Sequence, residues 1–506
     1  MLRPWKISLA ERVDRGRSTP VYLQIVHALI HDIQRGRLAP GTFLPSSREL
    51  ASTLGVNRKT IVIAYDDLVS QGWLASDGTR GTIVSNSLPE PRPQRSPNPP
   101  LDPARDSTSP EFNIRSAPAL PLVFAGDGHL VLDDGAPDPR LLPSDVLARA
   151  YRTAVRQASR TNWLGYGDPR GSPVLRQAIA DMLTTHRGLV ASADNICITR
   201  GSQMAIFVAA KILVRAGETV LVEALSYSPA REAFRAAGAT VVGARLDDEG
   251  LDVEDVERLC RRHKVRALYL TPHHQFPTTV SLKPERRLRL LDLARQFGFA
   301  VIEDDYDHEF HFEHQPLLPM ASYAPRRTIY IGSMSKLLQP GLRIGYIAAP
   351  AEIIQSVANE IVIIDRQGNV PTELAVAELI QSGELHRHAR KALQVYLDRR
   401  NNFAHLLRAN FDGLIDFKMP NGGLAFWLSF RDASILDAIE RGAAGRRVRL
   451  LPSRSFAIAP YEQRGLRLGF ASLNPNEAGE ALRRLRQAAD HSPQTAPDGS
   501  ERHNFE

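Results

Sequence analysis

Cysteine is nearly absent from this chain: two residues in 506, Cys197 between two isoleucines and Cys260 after a leucine. That count excludes a disulfide scaffold and a cysteine-based zinc site. No run approaches 18 uninterrupted apolar residues, so no membrane span is expected. The opening segment MLRPWKISLAERVDRGR carries early basic residues without the apolar core of a secretory signal, and a cytoplasmic location is the expectation. Charge of one sign is in small excess, 63 Lys and Arg against 56 Asp and Glu, or +7. That is too mild for a histone-like chain but compatible with one local patch that meets a polyanion. Apolar residues at 43% and charged residues at 24% exclude collagenous, coiled-coil and wholly disordered classes. The length calls for more than one domain.

Proline is concentrated in one place. Ten prolines fall between Leu88 and Gly128, with serine, mixed charge and few large apolar groups. Such a composition cannot build a core and favours an extended linker. It divides the chain into a small module at 18–86, a linker at 88–128 and a large module at 129–488. The final stretch, 490–506, is expected to be a disordered tail.

In the small module, Tyr22, Ile25, Val26, Leu29, Ile30 and Ile33 recur at helical spacing behind Pro20. Ser46 to Glu49 is a capping box that opens a short helix stopped by Gly55. Asn57 can cap a third helix with Arg58, Lys59 and Thr60 in its exposed first turn. Two helices about a tight glycine turn make a helix-turn-helix. Two strand-like runs follow, Gly72–Ala75 and Gly78–Val84, forming a wing with Arg80 at its tip. Residues 1–88 hold 11 Lys and Arg against 7 Asp and Glu, so +4 of the total +7 sits here. Arg48, Asn57, Arg58, Lys59, Thr60 and Arg80 are the candidates for base and phosphate contacts on double-stranded DNA. The bland alternative is a solvated basic face on a protein-interaction module.

The large module alternates helix-period and strand-like runs, an α/β rhythm. Apolar runs at Val190–Thr199, Thr219–Val222, Thr240–Gly243, Val265–Leu270, Ala300–Glu303 and Thr328–Gly332 are expected to form a mostly parallel sheet, with its ligand at their C-terminal ends. Ser333-Met334-Ser335-Lys336 followed by Pro340-Gly341-Leu342-Arg343 suits an aldehyde cofactor carrying a phosphate: a lysine for the Schiff base, an arginine and Ser333 for the phosphate. Asp304 is placed to keep a pyridinium nitrogen protonated, and Tyr306 to reach the ring oxygen. Gly201, Ser202 and Gln203 open a helix whose N–H groups suit a phosphate. Tyr227 is placed to stack on the ring, and Arg467, alone in an apolar strand, to clamp a carboxylate. His308, His311 and His314, with His273 and His274, invite a metal, but their spacing fits no single face and no metal is expected.

The pattern from PVYLQIVHALIHD to GTRGTIV resembles the GntR-type winged helix-turn-helix. Ser-x-Ser-Lys with Pro-Gly-x-Arg, the Glu303-Asp304-Asp305-Tyr306 strand end, Tyr166-Gly167-Asp168-Pro169-Arg170-Gly171 and His274-Gln275-Phe276-Pro277-Thr278 resemble fold-type-I aminotransferases of class I/II. In this order the two modules resemble the MocR/GabR subfamily of GntR regulators. The resemblance implies pyridoxal 5'-phosphate held as an internal aldimine on Lys336, Asp304 at the pyridine nitrogen and Tyr306 near the ring oxygen. It also implies Arg343, Gly201, Ser202 and Ser333 near the phosphate, Arg467 on an effector carboxylate, and a homodimer. Thr279 stands where the family usually has glycine, Ala224-Leu225-Ser226 replaces an acidic-Pro-Gly sequence, and Phe276 replaces the asparagine of the enzymes. The last change points to weak or absent transamination. The implied function is a DNA-binding regulator sensing an amino compound or pyridoxal phosphate itself. The alternatives are a working aminotransferase with an appended DNA-binding module, and a cofactor-free regulator that uses the fold for dimerisation.

Overall fold

The computed structural model describes residues 19–89, 128–132, 135–313, 317–461 and 464–490, with isolated positions elsewhere. Most of the expected linker, His314 and the expected tail beyond Asp490 lie outside the described residues. The chain divides into two units, residues 1–115 and 116–506.

The first unit has helices at Val21–Gln34, Ser47–Leu54 and Arg58–Ser70. Their ends follow from capping chemistry. Ser46 Oγ accepts from the Glu49 N–H at 3.2 Å, Gly55 takes the left-handed conformation that terminates the second helix, and Asn57 Oδ1 accepts from the Lys59 N–H at 2.8 Å. Ile25, Leu29, Ile33, Leu50, Ile61, Leu68 and Trp73 close a core of its own. The wing strands are shorter than the apolar runs, Leu74–Ser76 against Thr82–Val84, antiparallel with Ala75 opposite Ile83. Gly78–Arg80 is instead a single 3₁₀ turn between them, which sets Arg80 at the tip.

The second unit is built on a seven-stranded sheet in the order Ile196–Thr199, Gly345–Ala348, Thr328–Ser333, Ala300–Asp305, Val265–Leu270, Thr219–Glu223, Thr240–Ala244. Only Gly345–Ala348 runs antiparallel to its neighbours. Alternation along each strand supplies both faces: Val220 and Val222 pack into one helical layer, Leu221 into the other. The first strand begins at Ile196 rather than Val190, because Ser192 and Asn195 cap each other around a turn and leave Val190 exposed. Two strands run past their apolar stretches and carry Asp304, Asp305 and Ser333 into the ladder. A smaller sheet, Ile415–Asp416, Ala425–Phe430 and Leu466–Gly469, packs with the long helix Glu384–Phe411 and the helix Pro475–Ala489. Among the described residues no helix is long and apolar enough to cross a membrane.

Candidate functional site

At the C-terminal ends of the parallel strands lies a cavity of about 190 Å³ lined by Ser202, Gln203, Tyr227, Asp304, Tyr306, Ser333, Lys336 and Arg343. These come from five separate stretches of sequence and were all expected at one site. Gly201 adjoins the cavity. Its φ of +80° suits glycine, and a Cβ there would stand 2.9 Å from a guanidinium nitrogen of Arg343. Arg343 is held by donating to the Arg200 carbonyl at 2.7 Å. The helix Ser202–Leu213 begins beside it, so its first N–H groups are turned to the same corner. Arg467 does not line the cavity directly. It is buried behind it, donates to the Pro277 carbonyl at 2.9 Å and to Tyr306 Oη at 3.3 Å, and lies 4.7 Å over the Phe276 ring.

Asp304 is the electrostatic centre of the pocket. It is buried, Oδ2 accepts from the Tyr269 hydroxyl at 2.7 Å, and Oδ1 is buried without a hydrogen-bond partner. Burial raises its pKa to about 7; the Tyr269 hydrogen bond opposes the rise, and Asp305 and Asp307 add to it. A protonated ring nitrogen would satisfy the unpartnered oxygen and remove the cost of a buried charge. A phosphate suits Arg343, Ser202 and Ser333 in the same cavity. The residues present therefore fit pyridoxal phosphate.

Some pocket residues went unassigned in the sequence. Tyr269, the hydroxyl that holds Asp304, sits opposite Ile302 in the neighbouring parallel strand; only the pairing register brings it to Asp304. Thr271 Oγ1 donates to Glu223 Oε2 at 3.0 Å and accepts from the Phe276 N–H at 2.9 Å. Burial raises the pKa of Glu223 to about 7. Ser335 also lines the cavity, and its place in Ser-x-Ser-Lys was the available signal. Phe276 packs edge-on against Tyr227, with ring centroids 5.3 Å apart. Tyr306 Oη donates to the His274 carbonyl at 2.9 Å.

In the first unit, Arg48, Asn57, Arg58, Lys59 and Arg80 are exposed and Thr60 half-buried. Arg58 Nε donates to Ser47 Oγ at 3.3 Å, tying the two helices of the motif together.

Residues 21–84 match the model for bacterial regulatory proteins of the gntR family, and residues 135–485 that for aminotransferase class I and II. The probable rhizopine catabolism regulatory protein MocR of Rhizobium meliloti is 29% identical, covering 94% of this chain and 95% of its own length. The pyridoxine biosynthesis transcriptional regulator PdxR of Corynebacterium glutamicum is 30% identical over 76% of this chain and 78% of its own. Among solved structures, the α-aminoadipate aminotransferase LysN of Thermus thermophilus, complexed with N-(5'-phosphopyridoxyl)-L-leucine, superposes with a TM-score of 0.67 at 28% identity, covering 72% of this chain and 92% of that one. With a GntR helix-turn-helix ahead of a fold-type-I aminotransferase domain, and with regulators of that same build matching nearly end to end, the chain belongs to the MocR/GabR subfamily of GntR-type transcriptional regulators.

Proposed function

We propose that this regulator binds pyridoxal phosphate at Lys336 and uses it to sense a small amino compound, or the cofactor's own concentration, while Arg48, Asn57, Arg58, Lys59, Thr60 and Arg80 hold operator DNA. One observation carries the reading: a single cavity joins Lys336, the unpartnered oxygen of Asp304, and the Ser202, Ser333 and Arg343 corner. Bound there, pyridoxal phosphate supplies an aldehyde that condenses with a primary amine and a cationic ring that withdraws electrons. Lys336 would provide the amine that anchors it. Asp304 would hold the proton on the ring nitrogen, Tyr227 would pack on the ring, and Arg467, turned from the Pro277 carbonyl, would take the carboxylate of an amino-acid effector. Phe276 offers no hydrogen bond to the ring oxygen, which supports sensing over turnover. The exposed apolar residues Leu164, Tyr166, Val362 and Ile363 support a homodimer.

The purified protein is expected to show a visible absorption band that borohydride bleaches and that Lys336→Ala lacks. A colourless parent protein would leave the cofactor-free regulator standing. An amino donor is expected to shift the band stoichiometrically; multiple-turnover keto-acid formation would instead establish the aminotransferase.

A further inference from the structure

Side chains alternate along an extended strand, so Asp305 turns away from the cofactor pocket that Asp304 faces. On that other side it meets a cluster of histidines. Asp305 Oδ2 accepts from the Tyr330 hydroxyl at 2.6 Å and lies 2.9 Å from His308 Nδ1. Asp305 Oδ1 lies 3.2 Å from His273 Nδ1, and both atoms are buried without a hydrogen-bond partner. The other ring nitrogen of His273, Nε2, lies 2.6 Å from the Leu317 carbonyl. A carbonyl only accepts, so Nε2 carries a hydrogen and Nδ1 is the ring atom turned to the carboxylate. A divalent cation can take the place of a proton between these two atoms, with both as ligands. Fixing the tautomer through a backbone carbonyl is also how proteins orient histidine ligands.

We propose that His273, Asp305 and His308, completed by His311, form a binding site for a divalent transition metal of the zinc class. One ligand atom from each of His273, Asp305 and His308 lies within 4.8 Å of the others. The three residues are 2%, 2% and 6% exposed. His311 has its ring centroid 5.7 Å from that of His308, and its Nε2 is buried and unpartnered. Arg187 stands 3.8 Å from Asp305 Oδ2 and pairs with Glu309. Imidazoles with one carboxylate are the donor set of zinc and its neighbours. Bonds of about 2.0–2.1 Å set tetrahedral ligand atoms roughly 3.4 Å apart, so the more distant of these atoms must draw in on binding. A cavity of about 840 Å³, lined in part by Arg187, His308, Glu309 and His311, gives the ion a path.

The test uses the full chain, freed of metal by chelator dialysis and titrated with Co²⁺ alone and with Zn²⁺ alone against a chromophoric chelator. The expected result is one ion per chain, a visible cobalt absorption displaced by zinc, and binding weakened by roughly tenfold or more in His308→Gln and in His311→Gln. The control His263→Gln, exposed and outside this cavity, should leave binding unchanged. Absence of binding, or equal binding in both cluster variants, overturns the proposal. Should either variant misfold, zinc-edge absorption on the unsubstituted protein decides: imidazole scattering supports the site, and an oxygen-only shell refutes it.

Discussion

At the scale of single residues, Asp304 and Thr279 hold strain of opposite kinds. The carboxyl of Asp304 has a pKa near 7 in the cofactor-free fold, against about 3.9 in an unfolded chain. The native state therefore binds the extra proton between those values, and stability falls as pH rises through them. The penalty is absent near pH 4 and complete above pH 7, on the order of a few kcal/mol. Asn can still accept the Tyr269 hydrogen bond without carrying charge. Cofactor-free Asp304→Asn should accordingly melt higher than its parent at pH 8 and equally near pH 4; a pH-independent difference would refute this account. Thr279 has φ of +66°, and its N–H donates to the Gln275 carbonyl at 2.7 Å. A β-branched residue in that region costs roughly 1–3 kcal/mol, while glycine returns roughly 0.5–1 kcal/mol of that as chain entropy. Thr279→Gly is expected to stabilise the fold by about 1 kcal/mol, read as a raised melting temperature with the visible band unchanged.

At the scale of elements, the third helix of the first unit separates folding from recognition. Asn57 caps it through the Lys59 N–H, and Asn57→Ala should lower stability by about 1 kcal/mol. Arg58 and Lys59, exposed on its first turn, should matter little for folding. Their joint replacement by Ala should weaken retention of operator DNA and reduce the slope of log affinity against log salt by about 2; an unchanged slope would remove them from the interface. Such helices were legible because capping side chains and a terminating glycine sit within a few residues of what they cap. Lys336, Asp304 and Arg343 were legible for a related reason: a parallel sheet gathers the ends of its strands, so polar residues after apolar runs converge. What escaped the sequence depended on pairing between distant segments. Tyr269 reaches Asp304 only through strand register, and Gly345–Ala348 inserts antiparallel between two strands far from each other in sequence. Spacing along the chain carries no trace of these.

At the scale of the whole molecule, the +4 of residues 1–88 out of a total of +7 places most of the basic surplus in a unit with its own core, ahead of a nearly neutral unit of aminotransferase fold. A regulator requires these two units to be energetically coupled. Thermodynamic linkage makes that coupling reciprocal: an amino effector that changes operator affinity by some factor must have its own affinity changed by the same factor when operator is bound. Couplings of this kind run to roughly 5–150-fold, well within reach of a spectral titration of the cofactor band and of DNA retardation. Measured on one preparation, operator affinity with and without the amine and amine affinity with and without operator should give equal ratios different from one. Ratios of one in both directions would mean that the second unit does not report to the first, and that an aminotransferase has simply been joined to a DNA-binding module. Equal ratios that vanish together in Lys336→Ala would tie the coupling to the lysine, and so assign the aminotransferase fold here to sensing.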